Sequence, residues 1–318
     1  MDQVIEGGAD TRPLWKKIVD FPLVAMVIGV ALFIGSLAVA SIINKALPPM
    51  GEPLKTVVHG AIALGLVLFT YKLAIRRLGE VPRDDLPVPG AAKGLGVGLL
   101  FGLVLFSTVV GVAALFDVYN IVGPGGTSEL ITATVVMAIM PGFMEELLFR
   151  GILFRFIEEF GGSWTALIVT SALFGAGHIF NPGATAFSSF AIAVEAGILL
   201  GGAYMLTRSL WFPMGLHAAW NFTQGEIFDV PVSGIDQHGL VTARMSGPEL
   251  LSGGTFGLEA SVIALVIATA AGIWLVVRAV QQGQLMHPWW VRRRLSSEEA
   301  VGIDVDRDAD LGAPVEPA

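Results

Sequence analysis

The chain alternates unbroken apolar runs of about 17 to 23 residues with short segments that hold most of its charge, and that alternation leaves few ways to fold. The runs lie near residues 21 to 43, 56 to 75, 94 to 116, 128 to 150, 164 to 180, 185 to 207, 211 to 228 and 258 to 280. A helix of about 20 residues crosses the roughly 30 Å of a bilayer's hydrocarbon. The expected architecture is therefore all-α, a polytopic integral membrane protein with about eight transmembrane helices. The composition agrees: 54% hydrophobic and 14% charged residues, with a mean hydropathy of +0.71, lie outside the balance of a soluble domain. Cysteine is absent, which excludes disulfides, thiolate metal sites and a cysteine nucleophile.

Basic residues between the runs set the orientation. Lys16, Lys17, Lys72, Arg76, Arg77, Arg83, Lys93, Arg150, Arg155, Arg208, Arg278 and the run Arg292, Arg293, Arg294 fall on one side of an eight-span alternation, against Lys45, Lys55 and Arg244 on the other. The positive-inside rule then places both termini in the cytoplasm, with the chain crossing a cell membrane of bacterial type many times. The first run follows "RPLWKKIVD" without a small-residue cleavage site, so it reads as a retained anchor. Residues 296 to 318 hold seven acids against one arginine and supply six of the net charge of -8. They complete an acidic tail, 281 to 318, expected to be disordered and cytoplasmic. Nothing in the charge pattern resembles a nucleic-acid-binding surface.

Gly94, Gly98 and Gly102 recur every fourth residue, as do Gly197 and Gly201, and predict faces where another helix approaches closely. Residues 229 to 257, rich in Gly and Pro, read as an exposed extracytoplasmic loop, either a lid or a connector.

One run breaks the pattern. "PGFMEELLFRGILFRF", residues 141 to 156, carries two glutamates and two arginines in otherwise apolar sequence. Charge at membrane depth is costly, so such residues are functional candidates or structural pairs. Glu146 and Arg150 are four apart with the glutamate first, the favoured order for a helical ion pair; the pair either neutralises charge for insertion or acts in catalysis directly. Glu145 points about 100° away and has Phe149 at i+4, leaving it without a local partner. If the chain reverses at Gly161-Gly162, Glu145 and His178 both lie about 25 Å from the turn at 1.5 Å per residue. His217 and Asn221, at i and i+4, share one helix face. His217 follows the 208 to 211 turn closely, so levelling it with Glu145 requires an irregular or displaced helix, which a kink at Pro213 would permit. Glu195, alone in the sixth run, could line a water-filled cavity or bond a neighbouring helix.

These residue types suit hydrolysis of a peptide bond by water. A carboxylate in an apolar pocket can take a proton from water and return it to the leaving amine; Glu145 fits that task. One imidazole, His178, can hold the water. A second, His217, with the amide of Asn221, can stabilise the oxyanion.

The segments "EELLFRG", "FGAGH" and "SLWFPMGLHAAWN" closely resemble the E-E-x-x-x-R, F-x-x-x-H and H-x-x-x-N motifs of the CPBP intramembrane proteases. That group includes CAAX prenyl endopeptidases, the Ras-converting enzyme and bacteriocin-processing or immunity proteins. The resemblance covers about residues 140 to 222, with all three motifs in order. It implies an intramembrane endopeptidase acting on a peptide or protein substrate at the bilayer. Catalysis falls by resemblance on Glu145, His178, His217 and Asn221, while Glu146 and Arg150 complete the first motif. The chain then divides into N-terminal transmembrane helices (1 to 125), a protease core (126 to 228), the extracytoplasmic loop (229 to 257), a last transmembrane helix (258 to 280) and the tail.

Members of the group are often labelled metalloproteases, and Glu145, His178 and His217 could make a three-ligand open zinc site. H-E-x-x-H is absent, and no obvious second carboxylate follows either histidine, so no obligatory metal is expected. Two other classes compete with the protease. A proton-coupled transporter could use Glu145 and His178 as a relay, but interrupted helices in two matching halves would then be expected. A non-proteolytic binding or immunity protein could keep the fold without the chemistry. Neither G-x-S-G nor G-x-G-D, the marks of serine and aspartyl intramembrane proteases, is present.

Overall fold

A computed structural model describes residues 12–295; the acidic stretch 296–318 lies outside the described residues. The protein is an all-α polytopic membrane protein, and each of the eight predicted runs falls on helix. Helix α1 (Leu14–Asp20) precedes α2 (Pro22–Ala46), which starts with a proline that has no helical hydrogen bond to lose there. Next come α3 (Leu54–Leu73) and α4 (Ala91–Leu115), strand β1 (Tyr119–Pro124), and α5 (Leu130–Ala133), which continues as a π-helical segment, Thr134–Ile139. Helix α6 (Met140–Leu148) passes through a second π-helical segment, Phe149–Phe154, into α7 (Arg155–Gly177). Helix α8 (Ala186–Thr207) opens on a capping box between Thr185 and Ser188. After α9 (Trp211–Phe222) and a third π-helical segment, Thr223–Ile227, come β2 (Val241–Met245), α10 (Glu249–Ser252) and α11 (Val262–Gln281).

Among the described residues six helical stretches, rather than about eight, are long and apolar enough to cross a membrane. Two differences account for this. The fourth and fifth runs join in one 51-residue stretch, Leu130–Phe180, and α9 has only 12 residues. The long stretch is nonetheless a hairpin. Gly162 breaks it at φ 82°, ψ 168°, a conformation that side chains resist. Phe149 and Phe174, equally far on either side of the Gly161-Gly162 step, meet edge to face at 4.9 Å.

Close packing follows the glycines. A methyl on Gly98 would lie 2.2 Å from the Phe212 carbonyl oxygen, so α4 and α9 touch backbone to backbone. Gly142 makes the same approach from α6, where a methyl would meet the Ala218 nitrogen at 2.8 Å. Two apolar clusters flank these contacts. One gathers Phe106, Trp220 and Phe256 around α4, α8, α9 and α11; the other gathers Tyr71, Ile75, Phe154 and Phe156 around α2, α3, α6 and α7.

Helix α9 runs unbroken through Pro213, so the expected kink is absent. The helix is displaced instead. Its preceding turn is tied to the loop before α4: buried Leu210 donates its backbone N–H to Asp85 O at 2.7 Å, and Trp211 Nε1 donates to Pro87 O at 2.8 Å. Arg155 holds that loop in place. Its fully buried guanidinium donates to the carbonyls of Arg83 (3.0 Å), Leu78 (2.9 Å) and Arg76 (3.3 Å).

The segment expected as an open loop at 229 to 257 contains structure. Strand β2 pairs antiparallel with β1, with an irregularity between Ile121 and Gly123. Tyr119 ties this ribbon down by donating to Phe228 O at 3.0 Å, and burial, with Asp229 nearby, pushes its phenol up to about 12.

Candidate active site

Helix α6 and the π-helical segment that continues it bring Glu146 and Arg150 to the interior, one turn apart on the face that Gly142 presses against α9. Both side chains are fully buried. Glu146 Oε1 accepts from Arg150 Nη1 at 2.9 Å and from His217 Nδ1 at 2.9 Å. Arg150 also reaches two other helices, donating from Nη2 to Ala196 O at 3.3 Å and stacking 4.9 Å above the Phe174 ring. A charge counted above among those flanking the spans is thus a buried structural centre.

His217 Nδ1 faces a carboxylate oxygen, so it carries the ring proton and leaves Nε2 free. His178 is set the same way: its Nδ1 lies 2.8 Å from Phe174 O, which can only accept. The Phe174 ring sits between the imidazoles, 4.8 Å from His178 and 6.1 Å from His217. Asn221 spends one amide hydrogen on Met137 O at 2.8 Å, and its second remains for the site. Met137 lies in a π-helical segment, the local distortion that is frequent at functional sites.

His178, His217 and Asn221 share the wall of one cavity of about 30 Å³, room for about two waters. Glu146 and Arg150 stand behind His217. Glu145 is half-buried and is not on the cavity's wall. Its buried Oε2 has no hydrogen-bond partner, and its charge lies within range of both His217 and Arg150.

One expectation needs correction. His217 does have a second carboxylate behind it, namely Glu146, 71 residues earlier in the chain. Among the described residues no three His, Asp or Glu side chains are placed together to hold a metal ion. Three further wall residues went unrecognised as a group: Glu195 of α8, Glu259, and Ser233 from the 229 to 257 segment. Glu195 lines the cavity, the first of the two alternatives open to it. The signal for Glu195 was its isolation in an apolar run; Glu259 and Ser233 gave none.

Residues 127–223 match the family model described as type II CAAX prenyl endopeptidase Rce1-like. The matched segment, under a third of the chain, is similar to that endopeptidase family and contains Glu145, Glu146, Arg150, His178, His217 and Asn221. No curated protein and no solved structure matches the chain.

Proposed function

We propose that the chain hydrolyses a peptide bond of a membrane-associated substrate, with water as nucleophile and Glu145 as general base. The water sits between Glu145 and the free Nε2 of His178. As the oxygen attacks, Glu145 takes its proton. His217, backed by Glu146, and the second amide hydrogen of Asn221 face the developing oxyanion. The Glu146 carboxylate compensates an imidazolium at His217, which then donates through Nε2. The observation that supports this reading most is that two imidazoles, each with Nδ1 engaged by a protein oxygen, and an amide share one buried cavity inside the segment that matches the endopeptidase family. In the membrane, both termini are cytoplasmic and the 229 to 257 segment lies on the opposite side.

The test is reconstitution of purified protein into lipid with a membrane proteome, followed by sequencing of new peptide termini. Wild type is expected to yield termini that Glu145→Gln and His178→Ala do not. Termini common to all three would overturn the reading, and proton flux that depends on Glu145 without any cleavage would replace it with transport.

A further inference from the structure

The cavity holds a second acidic group that this mechanism leaves idle. Glu195 projects from α8 and is only 1% exposed, yet among the described residues its Oε2 has no hydrogen-bond partner. The next residue, Ala196, accepts from Arg150 Nη2, so the position of Glu195 is tied to the same guanidinium that orders Glu146 and His217. The titratable groups that share its cavity are His178, His217 and Glu259. Glu259 is differently provided: its Oε1 accepts from Ser233 N at 2.5 Å and from Ser233 Oγ at 3.1 Å.

We propose that Glu195 is the general acid of the reaction, protonating the leaving amine from the cavity wall it shares with His178 and His217. The proposal rests on the proteolytic reading and divides its proton transfers between two carboxyls. A buried carboxylate oxygen without a donor, beside a second carboxylate, is costly, whereas a carboxylic acid is not. Glu259 has the donors that a charged group needs; Glu195 lacks them and keeps its proton, the form a general acid requires.

The steps balance. Water adds to the carbonyl carbon while one of its protons passes to Glu145, forming the tetrahedral oxyanion. The carbonyl re-forms, the C–N bond breaks with its electron pair on nitrogen, and nitrogen takes the proton of Glu195. Glu145 then returns its proton to Glu195 through the cavity's water and the imidazoles. One water is consumed, and a carboxylic acid and an amine are released.

The probe is a quenched fluorescent peptide spanning a junction cut in the proteome experiment, alongside an analogue with a thioester at the scissile bond. A thiolate leaves without protonation, since a free thiol ionises near about pH 8.5. Glu195→Gln is expected to lower kcat on the amide by about 10²- to 10⁴-fold and to leave the thioester rate within a few-fold of wild type. Glu145→Gln is expected to slow both. Glu195→Asp, which keeps an acid on a shorter arm, should regain part of the amide rate. Independently of any substrate, infrared difference spectra should show the carbonyl stretch of a protonated carboxylic acid that shifts in D₂O, persists in Glu145→Gln and vanishes in Glu195→Gln. Equal loss on both probes in a folded Glu195→Gln protein, or a carboxylic band that survives that substitution, overturns the role of Glu195. Absence of any cut junction overturns the proteolytic reading instead, and the infrared band still reports on Glu195.

Discussion

Arg150→Met is the substitution whose cost can be worked most directly. The guanidinium is fully buried and gives Glu146 one of its two donors, at 2.9 Å. Removing it leaves the Glu146 charge with His217 as its only partner, because Oε2 already has none. Loss of one partner from a buried pair costs about 3 to 5 kcal/mol. The methionine thioether retains part of the contact with the Phe174 ring, worth about 0.3 to 1.5 kcal/mol, so the expected cost lies near the lower end, about 3 kcal/mol.

Glu146→Gln should cost a similar amount, about 3 to 5 kcal/mol, because it leaves the buried Arg150 guanidinium without its countercharge even though the amide carbonyl can still accept from both donors. In the double variant no uncompensated charge is left, so its cost should fall below the sum of the two by about 1 to 3 kcal/mol. Equilibrium unfolding by SDS titration from mixed micelles, followed by far-ultraviolet circular dichroism, measures all three. Activity should not recover with stability, because the double variant no longer presents a charged carboxylate to His217. Wild-type stability in Arg150→Met, or strict additivity in the double variant, would refute the ion pair as the anchor of the site.

Two further perturbations test the frame around it. Gly98→Ala would place a methyl 2.2 Å from the Phe212 carbonyl oxygen, so α9 must move with His217 and Asn221; the expected loss is about 1 to 3 kcal/mol with at least tenfold slower cleavage, whereas Gly111→Ala on the same helix meets nothing within 4 Å and should be neutral in both assays. At Asp84, in the loop before α4, partial burial pushes the carboxyl up, but hydrogen bonds from Lys72, the Leu86 backbone and Arg76 prevail and hold it below its usual range. A depressed folded-state value means that its stabilisation is present above the unfolded value, about 3.9, and is lost as pH falls through the lower folded one. Asp84→Asn should therefore cost about 1 kcal/mol or less at neutral pH, and the gap from wild type should close in acid, as thermal unfolding across pH will show.

The spans were legible because hydrocarbon thickness sets helix length, and the hairpin because Glu145 and His178 stand equally far from a glycine pair. Helix α9 was not: its apolar run is long enough to suggest a crossing, yet the turn before it is tied to Asp85 and Pro87. Arg155 was legible only as a positive charge. Its task depends on four carbonyls more than 70 residues earlier in the chain, and no local pattern reports those. The motifs picked out Glu146 and His217 separately, but not that they touch. That contact depends on the rotation of α6 against α9, which the close approach of Gly142 to Ala218 sets.

The cavity wall also extends beyond the motifs. Ser233 and Glu259 lie outside the matching segment, 127–223, and they are bonded to each other across a segment that sequence left as either lid or connector. That segment is fastened at both ends. Val230 N donates to Gln224 O at 3.0 Å, Gly234 N donates to Phe256 O at 2.8 Å, and Glu259 holds Ser233 against the site. The cavity has room for about two waters, and Ser233 forms part of its wall. One serine thus ties the segment to the wall, because its backbone N–H and its side chain both bond Glu259.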